Sequence, residues 1–233
     1  MKNIRYIPIL LLVTIIISSC NNRPKGDESS AQEAKEVQTT AGDLIYMINP
    51  NSSEIEWEGS KPTGKHNGVL EFKSGELEFK NDILVGGRFT IDMNTITCID
   101  LEDPAYNKKL VNHLKSKDFF SVSKYPVSEF TITDVKSLEY TNKDIKEETT
   151  EEDANYMISG NLKIKNKTKN ISFNALIMPE GDSLWAKSVP FVINRTDWGI
   201  KYNSPTMSTV LKDKLINDKI GIRIDIIATL KKE

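Results

Sequence analysis

Two histidines and two cysteines are the scarce reactive side chains of this 233-residue chain. His66 lies in "GKHNG" and His113 in "LVNHLKSKDFF"; the cysteines are Cys20 and Cys98. Imidazole changes charge near neutral pH, so the pair could serve as a general base, as metal ligands or as fixed hydrogen-bonding groups. The spacing argues against the first two. The histidines fall on different elements, far apart in sequence, whereas zinc motifs pair their ligands at short intervals. Two lone cysteines cannot complete a zinc site. Serines are plentiful, but there is no G-x-S-x-G elbow, no phosphate loop and no G-x-G-x-x-G. No catalytic residue, metal or cofactor is therefore assigned. The alternative reading gives each imidazole fixed hydrogen bonds near the end of a folded element. His66 sits between glycines at a turn or strand end, and His113 on the inner side of a helix.

The elements that would position these groups begin after a targeting segment. Residues 1–19 read as a secretory signal: Lys2 and Arg5 form a basic start, Ile7 to Ile17 an apolar run, and Ser18 and Ser19 a small-residue exit. The apolar run is too short for a membrane span. Cys20 follows at once, as in a bacterial lipobox, with Ile17 where leucine is usual. Cys20 is thus the expected lipidation site, and residues 20–43, polar and almost without apolar side chains, read as a flexible tether. With Cys20 acylated no intrachain disulfide is possible, and Cys98 becomes a small buried or half-buried residue. The net charge of -2, from 31 basic and 33 acidic residues, gives no reason to expect nucleic acid.

From residue 44 to 233 the hydrophobic period is two. Ile55 and Trp57 share a face against Glu54, Glu56 and Glu58. Leu70 and Phe72 are in phase, and Leu77 and Phe79 are in phase after an expected turn at Ser74–Gly75. Ile83 to Met93, Phe173 to Ile177 and Ile222 to Leu230 alternate likewise. One strand is expected over Leu184 to Asn194, a turn at Asn166 to Thr168, and a charged exposed loop at Asn142 to Asn155. One helix interrupts the series: Asp103 is its N-cap, Pro104 its first residue, and Tyr106, Leu110, His113 and Leu114 recur at helical spacing. "SPTMSTVLKDKLIND" is a candidate for a second, shorter helix. About eight to ten strands fit one all-β, antiparallel barrel or sandwich. In a barrel the mid-strand Glu, Lys, Asp and Arg would crowd a narrow lumen, so the apolar face points inward. Trp57, Phe72, Phe79, Phe89 and Phe173 then either fill that lumen or line it.

Five segments, in order, resemble the YceI-like family of bacterial envelope proteins. They are "SEIEWEGSKPTGKHNG", with Trp57, Gly64, His66 and Gly68; "GGRFTIDMNTITCID"; "LVNHLKSKDFFSVSKYPVSEFTIT", with His113, Asp118, Phe119 and Pro126; "ISGNLKIKNKTKNISF"; and "NRTDWGIKYN", with Arg195, Asp197 and Trp198. The resemblance runs from about Tyr46 to Leu230. The acidic insert is longer than the family usually carries, and many relatives have a plain signal.

The resemblance implies an antiparallel lipocalin-like β-barrel of about eight strands that binds a long apolar molecule, an isoprenoid or fatty-acid derivative, and performs no catalysis. Trp57, Phe72, Phe89, Ile91, Phe130, Phe173 and Phe191 are the expected lumen contacts. His66, His113 and Arg195 are the expected polar contacts at the rim. Arg195 is the best placed for a phosphate or carboxylate; a structural ion pair with Asp197 or another acid is the competing reading. The expected setting is the cell envelope, with the membrane reached through the lipid anchor, at the outer membrane facing the periplasm. A filled barrel serving a structural role is the rival reading, and a homodimer is left open.

Overall fold

The computed structural model describes residues 23–37, 42–139, 153–207, 209 and 211–232. The signal segment, Cys20 and most of the acidic insert lie outside the described residues. Strands dominate: β1 (Asp27–Glu28), β2 (Gln32–Glu33), β3 (Leu44–Ile48), β4 (Glu54–Lys61), β5 (Gly64–Lys80), β6 (Ile83–Asp92), β7 (Val127–Ser137), β8 (Tyr156–Ile164), β9 (Lys167–Glu180), β10 (Ser183–Ser188), β11 (Phe191–Asn194) and β12 (Lys219–Leu230). The helix α1 (Pro104–Lys115) follows β6. The second helix candidate reduces to one 3-10 turn at Lys212–Lys214.

The sheet closes into a ring of eight staves, as the alternation predicts. β5 to β9 pair in order as an antiparallel meander. β12 closes the ring, pairing with β10 and β11 on one side and with β3 and β4 on the other. Thus β3 with β4 forms one stave in two pieces, and β10 with β11 another. The apolar half of each strand faces the barrel axis, where burial removes it from water. The helix starts as its sequence dictates. Asp103 Oδ1 accepts the backbone N–H groups of Ala105 and Tyr106, and Pro104 fills a position where a missing N–H costs nothing.

Four local expectations are corrected. Ser74–Gly75 is not a turn: β5 runs straight through it. The register slips by one residue between Phe72 and Ser74, so the inward set passes from Leu70 and Phe72 to Leu77 and Phe79 across a bulge. Gly75 is needed there because a Cβ would lie 2.7 Å from Phe89 Cβ and 3.0 Å from Arg88 O. The strand expected over Leu184 to Asn194 breaks at Val189–Pro190, where proline has no N–H for the ladder. The β8–β9 turn is made by Lys165 and Asn166, with Lys165 at a φ of 56°.

The fourth correction concerns the tether. Within residues 20–43, the stretch from Arg23 to Val37 lies along the barrel wall. β1 pairs in parallel with β11, and β2 antiparallel with β9. The break at Pro190 leaves β9 and β11 unpaired with each other, and this segment bridges them. Ser29 donates its N–H to Val192 O (2.9 Å) and its hydroxyl to Ser172 O (2.7 Å), and Ser29 Oγ accepts the Ser172 N–H (3.1 Å). Glu28 pairs with Lys219 and Glu33 with Lys169. A composition too polar to make a core is ordered here by backbone and ionic partners on a sheet edge.

Candidate functional site

The barrel is solid at one end and hollow at the other. A row of phenylalanines from β6, β7, β9 and β11 crosses its middle. Phe89 stacks on Phe130 (5.0 Å between ring centroids), Phe130 meets Phe173 at 5.7 Å, and Phe173 stacks on Phe191 at 4.6 Å. On one side of this row, Leu77, Phe79, Ile132, Ile158, Leu184 and Ala228 fill the axis. On the other side a cavity of about 470 Å³ opens between the β4–β5 hairpin and α1. Its size is that of a small-molecule site. The wall is overwhelmingly apolar: Trp57, Leu70, Ile91, Ile164, Ile171 and Ile224 face it, with the phenylalanine row as its floor.

Six of the seven expected lumen contacts, Trp57, Phe89, Ile91, Phe130, Phe173 and Phe191, border this cavity. Phe72 does not. Its phase on β5 points it inward, but it packs edge-on behind Phe89 at 5.2 Å. Trp57 is held by an indole N–H donated to Thr97 O at 3.0 Å. The residues after β6 run beside β5, with Thr97 N–H donating to Val69 O and Ile99 N–H to Asn67 O. Gly68 makes that approach possible, since a Cβ there would fall 1.9 Å from Thr97 O.

Both histidines border the cavity, each turned by a carboxylate. His66 Nδ1 lies 3.0 Å from Asp100 Oδ2, and His113 Nε2 lies 3.1 Å from Asp118 Oδ2. An ionised carboxylate only accepts, so the ring nitrogen donates in each case. His66 Nε2 and His113 Nδ1 have no partner among the described residues. The His113 ring is held edge-on by Phe119 at 5.0 Å and Tyr202 at 4.7 Å.

Asp100 ties a small knot beside His66, accepting from Asn67 N–H (2.9 Å) and from the Cys98 thiol (3.3 Å) as well. Burial alone would raise the Asp100 carboxyl. The hydrogen bonds from Asn67, His66 and Cys98 together outweigh it and hold the group below the usual carboxylate range. Burial, with the Asp100 bond second, pushes the Cys98 thiol up, so the thiol keeps its proton. His66, Cys98 and Asp100 bring potential metal donors within 4.8 Å of one another. The hydrogen bonds among them account for that closeness.

Arg195 is not a rim residue, which corrects its expected role. It is 1% exposed. Its Nε donates to Asn217 O (3.0 Å), Nη1 to Ile200 O (2.9 Å) and Nη2 to Ile216 O (2.8 Å). Its ion-pair partner is Asp218, at 3.1 Å, rather than Asp197. Burial pulls the guanidinium below its ordinary range and Asp218 opposes that shift. Arg195 therefore staples the 199–218 loop to the barrel, with three of its donors on backbone carbonyls and its charge paired with Asp218. Two residues that do reach the mouth, Lys61 and Lys109, were missed. Each is an ordinary exposed lysine on its own element, and only the closed ring brings them to one opening.

These features define a lipocalin-like barrel with a deep apolar cavity and a polar mouth. The YceI-like domain matches residues 46–228, and the chain belongs to the YceI-like family. A UPF0312 protein of Photorhabdus laumondii is 36% identical over 73 residues, 31% of each chain. One from Pseudomonas syringae pv. syringae is 33% identical over 103 residues, 42% of this chain and 47% of that protein. The chain thus spans a third to a half of the length of these curated relatives. Among solved structures, Burkholderia cenocepacia BcnA superposes with a TM-score of 0.57 at 17% identity, covering 78% of this chain and 99% of that one. A Saccharophagus degradans domain, described as polyisoprenoid-binding and implicated in plant cell wall breakdown, gives 0.54 at 11% identity, covering 81% and 100%. At such identities the likeness is one of fold.

Proposed function

We propose that the protein binds a long apolar molecule, an isoprenoid or fatty-acyl derivative, inside the hollow half of its barrel, and does so without catalysis. The observation that carries this reading is the cavity. It is deep, apolar along its wall, and floored by the Phe89–Phe130–Phe173–Phe191 row. Apolar burial drives such binding at about 25 cal/mol per Å² removed from water, less the cost of ordering the chain. The polyisoprenoid-binding description of the Saccharophagus neighbour supports the same ligand class. A non-catalytic role is supported by the chemistry at the mouth. The one described thiol is buried and kept protonated, so it offers no thiolate nucleophile there. We further propose that residues 1–19 are a signal, that Cys20 is acylated, and that the protein is held at the outer membrane facing the periplasm.

Native mass spectrometry of gently extracted protein tests the ligand. An added mass of lipid size is expected. A bare chain, even after incubation with polyprenols and fatty acids, would remove the proposal in favour of a purely structural barrel. Cys20→Ser should abolish acyl labelling and release the protein from membranes. Unchanged labelling of that variant would dispose of the anchor.

A further inference from the structure

We infer that the cavity selects ligands with an anionic head, held at the mouth by Lys61 and Lys109. This rests on the lipid-binding reading and specifies its ligand. Among the described residues, three formally charged side chains line the cavity, Lys61, Lys109 and Arg195, and no aspartate or glutamate does. That sign is not a reflection of the whole chain, whose net charge is -2. Arg195 contributes little outward field, because it is buried, Asp218 neutralises it and three backbone carbonyls take three of its five donors.

The two lysines differ from it. Lys61 ends β4 at the hairpin, and Lys109 projects from the middle of α1, on the facing side of the opening. Neither has an ion-pair or hydrogen-bond partner among the described residues, whereas the neighbouring Lys65 is bound to Glu58 at 2.7 Å. Asp100 and Asp118, which flank the mouth through the histidines, are engaged by His66 and His113. An apolar tail seated on the phenylalanine floor would bring its head to this pair of free cations. A phosphate or carboxylate there gains charge-assisted hydrogen bonds, while an alcohol of the same tail gains none of the charge term. Clefts lined by one sign of charge also concentrate counter-ions before contact.

The test titrates the purified full chain with geranylgeranyl monophosphate and with geranylgeraniol, following tryptophan fluorescence, since Trp57 lies in the wall. The phosphate should bind roughly tenfold tighter than the alcohol at low salt, as expected when two partly screened charge contacts act together. The preference should shrink as salt is raised. Lys61→Gln with Lys109→Gln should remove the preference and leave the alcohol's affinity unchanged; both positions are exposed, and an unchanged melting curve checks the fold. Palmitate against hexadecanol repeats the comparison with a carboxylate head and shows whether any anion suffices. Equal affinity for phosphate and alcohol in the unaltered protein would overturn the inference and leave lipid binding standing. Failure of all four probes to bind would overturn the lipid reading beneath it.

Discussion

Arg195→Met separates the two roles an arginine in this position can have. If Arg195 is a staple, the damage is to stability. The substitution deletes one member of a buried ion pair, leaving Asp218 with only the Ser204 and Thr206 hydroxyls, at 2.8 and 3.1 Å. It also strips donors from the carbonyls of Ile200, Ile216 and Asn217. Breaking a buried pair from one side costs about 3–5 kcal/mol. The carbonyl losses overlap with that figure, because methionine leaves room for water or relaxation. At an m-value of about 2 kcal/mol per M, the urea midpoint should fall by roughly 1.5–2.5 M. Arg195→Met with Asp218→Asn should recover part of the loss, because the orphaned charge is then gone. Lipid affinity of the folded fraction should stay within about twofold, since the guanidinium is buried, paired with Asp218 and already bonded to three backbone carbonyls. A variant with an unchanged urea midpoint but lost lipid binding would refute this reasoning and restore the rim role.

Three other perturbations follow from the same geometry. Ser29→Ala leaves Ser172 N–H and Ser172 O without their hydroxyl partner in a part-buried seam, so stability should fall by about 0.5–1.5 kcal/mol and the Ser172 amide should exchange faster in hydrogen-exchange measurements. The Asp100 carboxyl is held below its ordinary range, so its stabilisation is complete above that range and lost as pH falls through the folded-state value. The gap in urea midpoint between the unaltered protein and Asp100→Asn should therefore be widest near neutral pH and close on acidification. Ile164→Trp places a large ring in the hollow half, so lipid uptake measured by native mass spectrometry should drop severalfold while the melting temperature changes little.

What could be read from the sequence divides along physical lines. Period-two alternation reports which face of a strand is buried, and six of the seven residues expected in the lumen on that basis border the cavity. Alternation also carries a phase, and a phase slip has two causes. At Ser74–Gly75 a bulge and a turn produce the same signature, and only the continued pairing of β5 with β6 tells them apart. Phe72 fails for a related reason: facing inward does not distinguish the wall of a cavity from the second layer behind Phe89.

Charge is still less legible. Arg195 reads either as a head-group contact at the rim or as a structural ion pair with Asp197 or another acid, and the acid it meets is Asp218 across a loop. Lys61 and Lys109 carry no local signal at all, because the sign of a cavity mouth belongs to the closed ring and to no single strand. The docked N-terminal stretch is the same lesson with the sign reversed. Hydrophobicity decides whether a segment can form a core, but a sheet left open by Pro190 offers backbone partners that a polar segment satisfies as well as an apolar one. The seam at β9 and β11 and the segment that fills it are thus two halves of one solution, and neither half is visible without the other.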